Sequence, residues 1–448
     1  MTSLRSLSSA RFVWGLWAVG CLMIAATSCV ASDWPQWLGP GQTSEWVEEG
    51  VLDKFPEAGL NVQWRVPVGL GYSGPAVVGD RVFLTDYIRS EGAVANNPGA
   101  RISLQGTERV LCFSAADGKL LWKQEYDRPY EISYPSGPRA TPTVDGEMVY
   151  ALGAEGDLLA LKVADGSIVW KKQLQQEYAV KSPIWGYSAA PLVQGDRLYC
   201  MVGGKGQAIV AFDKKTGKEL WKAVDSQDAG YAMPTIIEAA GVSQLIVWAP
   251  ETIQGLNPEN GEVYWTQPLK PDYGMSIMVP RYFNGALFAS GIGNVGKLFR
   301  LGTDRPSAEI VWAGDVKSAV YCANSTPVIH EGIIYGCDCR SGALVAVEMK
   351  DGQRLWESFA PTTGERRAGH GTAFLVRHED RYFLFSETGE LILAKLSREG
   401  YVEISRARLL EPTNEAFNRP VVWTHPAFAD KSVFARNDKE LVRASLAK

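Results

Sequence analysis

Histidine is scarce in this chain and cysteine is scattered. The four histidines, His330, His370, His378 and His425, show none of the spacings that a metal site requires. Of seven cysteines no two are adjacent; the nearest pair, Cys337 and Cys339 in "CDC", offers two thiols, too few to close a soft-metal site. An excess of either charge is missing as well. Lys and Arg number 45 against 50 Asp and Glu, for a net charge of −5, so there is no basic footprint for nucleic acid or an anionic membrane surface. Amphipathic helical stretches of useful length are absent. "GGKG" (203–206) joins two strands and opens no helix, which argues against a phosphate cradle, and "GHG" (369–371) reads as a turn.

Long apolar runs are limited to one. "FVWGLWAVGCLMIAA" (12–26) follows Arg5 and Arg11 and precedes "TSCVAS". It is short for a membrane span and ends in small residues, the pattern of a secretory leader over 1–32 cut after Ala31 or Ser32. The alternative is a lipoprotein cut before Cys29, which would then carry the lipid anchor. Both readings place the protein across the inner membrane, in the periplasm or cell envelope. Removing 1–32 takes away two arginines and no acid, so the net charge moves from −5 to −7. Cys112, Cys200, Cys322, Cys337 and Cys339 remain, an odd number that does not suit a disulfide scaffold.

What the chain has in quantity is repetition. "AADGKLLW" ends at Trp122, and the same turn and tryptophan recur in "VADGSIVW" at Trp170, "KKTGKELW" at Trp221, "PENGEVYW" at Trp265 and "MKDGQRLW" at Trp356. "DRPSAEIVW", ending at Trp312, is a looser copy. The spacings are 48, 51, 44, 47 and 44 residues, and such periodicity dictates architecture before any local reading. Upstream of each phrase a small or polar residue, usually followed by Pro, opens a short apolar strand, as in "TPTVDGEMVYALG" from Thr141. Apolar runs separated by Asp-Gly, Asn-Gly and Thr-Gly pairs are antiparallel hairpins, and four per unit make a propeller blade. Eight such starts occur, and the last unit is one strand short. "NVQWRVPV" (61–68), with Trp64 at the expected offset, supplies it. The expectation is an all-β, eight-bladed propeller over 61–448, closed by an N-terminal strand, with 33–60 as a strap. In the seventh blade Ile404, 48 residues after Trp356, is expected to replace the tryptophan.

The units "GDLLALKVADGSIVWK" and "GQAIVAFDKKTGKELWK" resemble the pyrroloquinoline-quinone (PQQ) repeat of quinoprotein alcohol dehydrogenases and of the assembly lipoprotein BamB. "DWPQWLGPGQTS" and "WGYSAAPLVQGDRLYCMVGGKG" are similar to secreted bacterial PQQ-like propellers. The resemblance implies that Trp64, Trp122, Trp170, Trp221, Trp265, Trp312 and Trp356 dock neighbouring blades. In the dehydrogenases it implies a vicinal cysteine ring over the quinone and a calcium set; neither can be matched here, so PQQ with calcium is disfavoured. The reading is a non-catalytic binding or assembly platform. A PQQ-dependent dehydrogenase and a carbohydrate- or polymer-binding module are the alternatives, the aromatic "WPQWLGPGQTSEW" leader being weighed for the last.

The long loops collect on one face, which is where a rigid ring carries function. Small residues that begin the inner strands suggest a funnel there, lined by Tyr72, Trp185, Tyr187, Tyr231 and Trp423 with Arg139, Asp228, Arg281, Asn324, Arg367 and His370. An envelope protein, small molecule or polymer is the expected partner of a monomeric ring. One disulfide, from Cys322 to Cys337 or Cys339, is expected at the sixth blade.

Overall fold

The computed structural model describes residues 32–364 and 366–448; the expected leader, apart from Ser32, lies outside the described residues, and so does Cys29. Eight four-stranded antiparallel sheets form the ring. Their innermost strands are Ala76–Val78, Thr143–Asp145, Leu192–Gln194, Thr235–Ala239, Arg281–Phe283, Val328–His330, Ala373–His378 and Ala427–Ala429. In the eighth blade Asn61–Pro67 pairs antiparallel with Glu440–Ser445, so the outermost strand comes from the opposite end of the chain. Closure of this kind leaves no open seam. Among the described residues helix is confined to one α turn, Leu174–Glu177, and two 3-10 turns.

The repeated phrase has a packing explanation. Each tryptophan sits on an outermost strand at a β-bulge, directly after one extra residue of that strand that has no partner on the neighbouring strand. The bulge turns the indole toward the next blade. There its N–H donates to a backbone carbonyl: Trp64 to Ala115 at 2.8 Å, Trp122 to Val163 at 2.9 Å, Trp170 to Lys214 at 3.0 Å, Trp221 to Pro258 at 3.2 Å, Trp312 to Met349 at 2.8 Å and Trp356 to Ser397 at 2.8 Å. The turn glycine of that next blade is the shelf beneath the ring. Gly118, Gly166, Gly217, Gly261 and Gly352 all have positive φ, and a Cβ on any of them would press on the indole of the preceding blade. The Gly and Trp of one phrase therefore serve different neighbours.

Where the phrase degrades, the contact changes. Blade five has "DRPS" at this turn and no glycine shelf; Trp265 instead donates to Gln244 Oε1 of its own blade at 2.8 Å. In blade seven the bulge skips Ile404 and places Ser405 at the tryptophan position. Ile404 is thus not the replacement; the Ser405 hydroxyl accepts the Phe55 N–H at 3.0 Å, and Phe55 itself is buried against Phe383.

Residues 33–46 lie against the inner strands, and 50–55 continue to the edge of the ring beside Ala447, Lys448 and Ser405. Trp34 bridges Val77, Pro35 accepts from Val144 N, and the Gln42 amide donates to the Pro234 carbonyl at 3.0 Å. Ser44 O accepts Arg377 N, and Trp46 N donates to Arg377 O. The strap thus touches the innermost strands of blades one, two, five, seven and eight and the residue just before that of blade four. Val51 and Gly50 then pair with Ala447 and Lys448, and Asp53 accepts from Arg381. Trp34 and Trp46 are buried at 1% and 2% exposure, which makes them core and not a displayed aromatic patch. Of the residues expected to line the funnel, Arg281 meets this segment.

The cysteines need a second correction. Cys322, Cys337 and Cys339 are free and buried, each in a different apolar cluster. Alternation along Ile333–Cys337 turns Cys337 away from Cys322. Gly336 faces the Cys322 sulfur, whereas Cys337 points to the next blade and exchanges hydrogen bonds with Ala373.

Candidate functional site

Antiparallel blades put second-to-third strand loops and blade-to-blade connections on one face. The largest additions lie there. Blade one extends its middle strands to Arg81–Glu91 and Ile102–Ser114, and the latter also pairs with Tyr130–Ile132. Between blades seven and eight, Asn414–Ala416 and Arg419–Val421 form a separate hairpin. Its two turn residues, Phe417 and Asn418, both have positive φ, near 50° and 58°. Asn tolerates that region; a phenylalanine there is strained.

The hairpin lays an aromatic cluster over the ring. Tyr134, Ala416 and Val421 are buried together, with Tyr72, Trp185 and Trp423 packed against them. The Tyr134 and Trp423 centroids are 6.2 Å apart, and Phe417 lies 6.3 Å from Trp423. His370 stacks on Phe417 at 4.6 Å with 5° between planes, and its Nδ1 lies 3.2 Å from Asn324 Oδ1. Burial pushes the His370 imidazole down to about 4, so it is neutral at pH 7. The Arg139 guanidinium lies 5.2 Å over the Tyr72 ring and donates to the carbonyls of Ser133, Tyr134 and Gly137. Burial pushes the Tyr72 phenol up to about 12. Trp185 packs on Tyr231 at 5.6 Å.

A carboxylate that the sequence did not single out holds the hairpin down. Glu387, 1% exposed, accepts from Arg419 Nε at 2.8 Å and Nη2 at 3.2 Å and from Trp423 Nε1 at 3.1 Å. Its backbone accepts Val422 N. Glu387 follows a fully buried strand in "LFSETGE", and nothing local marks it as different from a turn residue.

Seven of the sequence candidates, Tyr72, Arg139, Trp185, Tyr231, Asn324, His370 and Trp423, belong to this face cluster or its immediate support. Four belong elsewhere. Tyr187 is 1% exposed, with its hydroxyl on the Val202 carbonyl at 3.0 Å, and so is a core residue. Arg281 donates to the carbonyls of Gln42 and Thr43 and clamps the strap. Asp228 is exposed on its connection, and partial burial pushes its carboxyl up against the opposing pull of Arg101. Arg367 lines a separate recess of about 340 Å³ with Arg340 and Arg354.

Comparison with known proteins agrees with this architecture. The family model described as outer membrane protein assembly factor BamB matches residues 48–230, 106–356 and 249–447. The outer membrane protein assembly factor BamB of Yersinia pestis is 23% identical over 217 residues, 46% of this chain; the match spans about half of that protein, 52%. The crystal structure of BamB from Moraxella catarrhalis superposes with a TM-score of 0.56 at 16% identity, covering 86% of this chain and 97% of that one. A europium-containing methanol dehydrogenase gives 0.58 at 13% identity, covering 92% and 89%. Both structural likenesses speak to the fold. With three overlapping matches that run nearly the length of the ring, the chain belongs to the BamB family of PQQ-repeat propellers.

Proposed function

We propose that this protein is an extracytoplasmic binding or assembly platform of the cell envelope, working through the loop face of the ring. The observation that carries the reading is the aromatic cluster of Tyr72, Tyr134, Trp185 and Trp423 under a strained hairpin, on a ring whose inner strands the strap lies against. Rigid aromatic and arginine groups on one face are the usual anchors of a protein interface. The name of the Yersinia relative, an assembly factor of the outer membrane, agrees with an envelope location. The protein acts without PQQ. No two cysteines are adjacent, Cys337 and Cys339 sit in separate clusters, and among the described residues no three His, Cys, Asp or Glu side chains gather as a metal site. The groups present do not fit a quinone with its calcium.

The test is capture of envelope partners by the purified protein and by Trp423→Ala and Phe417→Ala, with melting temperatures measured alongside. Capture lost at an unchanged melting temperature supports the platform. Alcohol oxidation that needs both PQQ and calcium would overturn it in favour of a dehydrogenase.

A further inference from the structure

Between the blade-one extension and the 414–421 hairpin lies a cavity of about 570 Å³. Its lining is mixed: Leu70, Val94, Pro98, Tyr134 and Ala416 supply apolar wall, and Asn96, Ser136, Thr413, Asn414, Glu415 and Asp438 supply polar groups. The volume is that of an ordinary small-molecule or peptide-segment pocket. Its two flaps are clasped at one point, where the Asn96 amide donates to Asn414 Oδ1 at 2.7 Å and to the Glu415 carbonyl at 2.5 Å.

The polar groups of this cavity have a consistent sign. The charged residues at its wall are Asp438 and Glu415, both carboxylates. One Asp438 oxygen accepts the Gly71 N–H at 3.0 Å, which fixes the group at the cavity floor. The clasp residue Asn96 turns a buried Oδ1 that has no donor. Arg436, the cation closest behind the floor, is 0% exposed and lies beyond Gly71, where a Cβ would touch its Nη1. It donates to the Gly69 carbonyl, outside the cavity, and its field is shared between Asp438 and Asp86. Glu415 has no cationic partner among the described residues. Burial also pushes the Asp438 carboxyl up, so a cation beside it would relieve an unfavourable charge.

We propose that this cavity binds a primary ammonium on an aliphatic stem, the ammonium meeting Asp438 and Glu415 and the stem lying against Val94, Pro98 and Tyr134. The chemistry is that of a lysine side chain presented by a peptide, or of a free polyamine. A compact three-donor cation suits a site whose spare groups are acceptors, and apolar walls suit its methylenes. The proposal rests on the loop-face reading and assigns it a ligand class.

Titration calorimetry of the full ring with Nα-acetyl-lysine amide, a Gly-Lys-Gly peptide and spermidine tests it, with Nε-acetylated lysine amide as control. At least one amine probe is expected to bind, with the acetylated control at least 10-fold weaker. The peptide binding tighter than spermidine identifies a protein ligand, and the reverse order a polyamine. Asp438→Asn, which keeps an acceptor for Gly71, should weaken binding about 10-fold. If that variant does not fold, Glu415→Gln at the rim should weaken it several-fold. Equal binding of the acetylated control, or no binding of any amine at millimolar concentration, overturns the proposal. If partner capture still depends on Trp423 in that case, the platform reading stands and the ammonium site alone is lost.

Discussion

The Trp122 indole lies over Gly166, the turn glycine of the following blade, and donates its N–H to Val163 three residues earlier. Gly166 has φ +71°, a conformation that side chains other than Gly, Asn or Asp resist, and a Cβ there would enter the ring of Trp122. Gly166→Ala should therefore lower stability by about 1–3 kcal/mol through strain and lost blade packing together. Gly146, also at positive φ but with open space around it, is the control: Gly146→Ala should cost less. Denaturant midpoints of the two variants decide it; equal losses would mean that docking contributes nothing.

The hairpin depends on Glu387. Removing its charge leaves Arg419 half of a buried pair, at a cost of about 3 kcal/mol to the closed position. Glu387→Gln should open the 414–421 segment and free the backbone at the already exposed Phe417 for chymotrypsin, with cleavage on that peptide bond rising while the rest of the ring resists. Unchanged cleavage would show that the aromatic cluster alone holds the segment.

Acid should loosen the core at His425. This imidazole is 3% exposed between Trp34, Trp37 and Phe374, and burial pushes it down to about 4. An unfolded chain takes up the same proton near pH 6.5. Between those values the unfolded state binds more protons, so stability falls as pH drops through the window, by on the order of 3 kcal/mol from this group. His370 acts in the same direction, whereas Glu108, Asp157 and Asp438, whose carboxyls are raised by burial, oppose it. The wild type against His425→Gln isolates the effect: the variant should show a shallower loss of melting temperature between pH 7 and about 4.5. Parallel curves would refute it.

In a chain that begins after residue 32 the thiols should count as five. Cys112, Cys200, Cys322, Cys337 and Cys339 are buried, and burial raises every one of their thiol pKa values, which suppresses the reactive thiolate. A thiol reagent should find almost none of them in the native ring and all five after denaturation. A count of three would restore the Cys322 disulfide.

The ring was legible because each blade repeats the same local chemistry. A turn glycine, a bulge and a tryptophan recur at one offset, and the inner-strand starts mark the count. The exceptions were legible only in space. Ile404 matched the tryptophan by simple spacing, but the bulge moves the position to Ser405. Tyr187 and Arg281 stand at the right offsets for a face cluster, yet one turns into the core and the other to the strap, because chain position fixes the height of a residue and not its direction. Glu387, Asn96 and Asp438 escaped notice since each gains its role from a partner far along the chain, Asn96 from Asn414 across 318 residues.

The pairing of Asn61–Pro67 with Glu440–Ser445 also governs how the molecule comes into being. Seven blades are stitched from neighbouring sequence and can form as the chain emerges; the eighth waits for a segment made nearly four hundred residues after its partner. Until that moment one early strand has unsatisfied backbone groups, and Trp64 has no finished blade of its own from which to dock. Long-range closure of this kind is slow and leaves the intermediate prone to pairing with other chains. The vulnerable interval is therefore before the ring closes, where a holding chaperone would matter more to yield than any mutation that strengthens the finished ring.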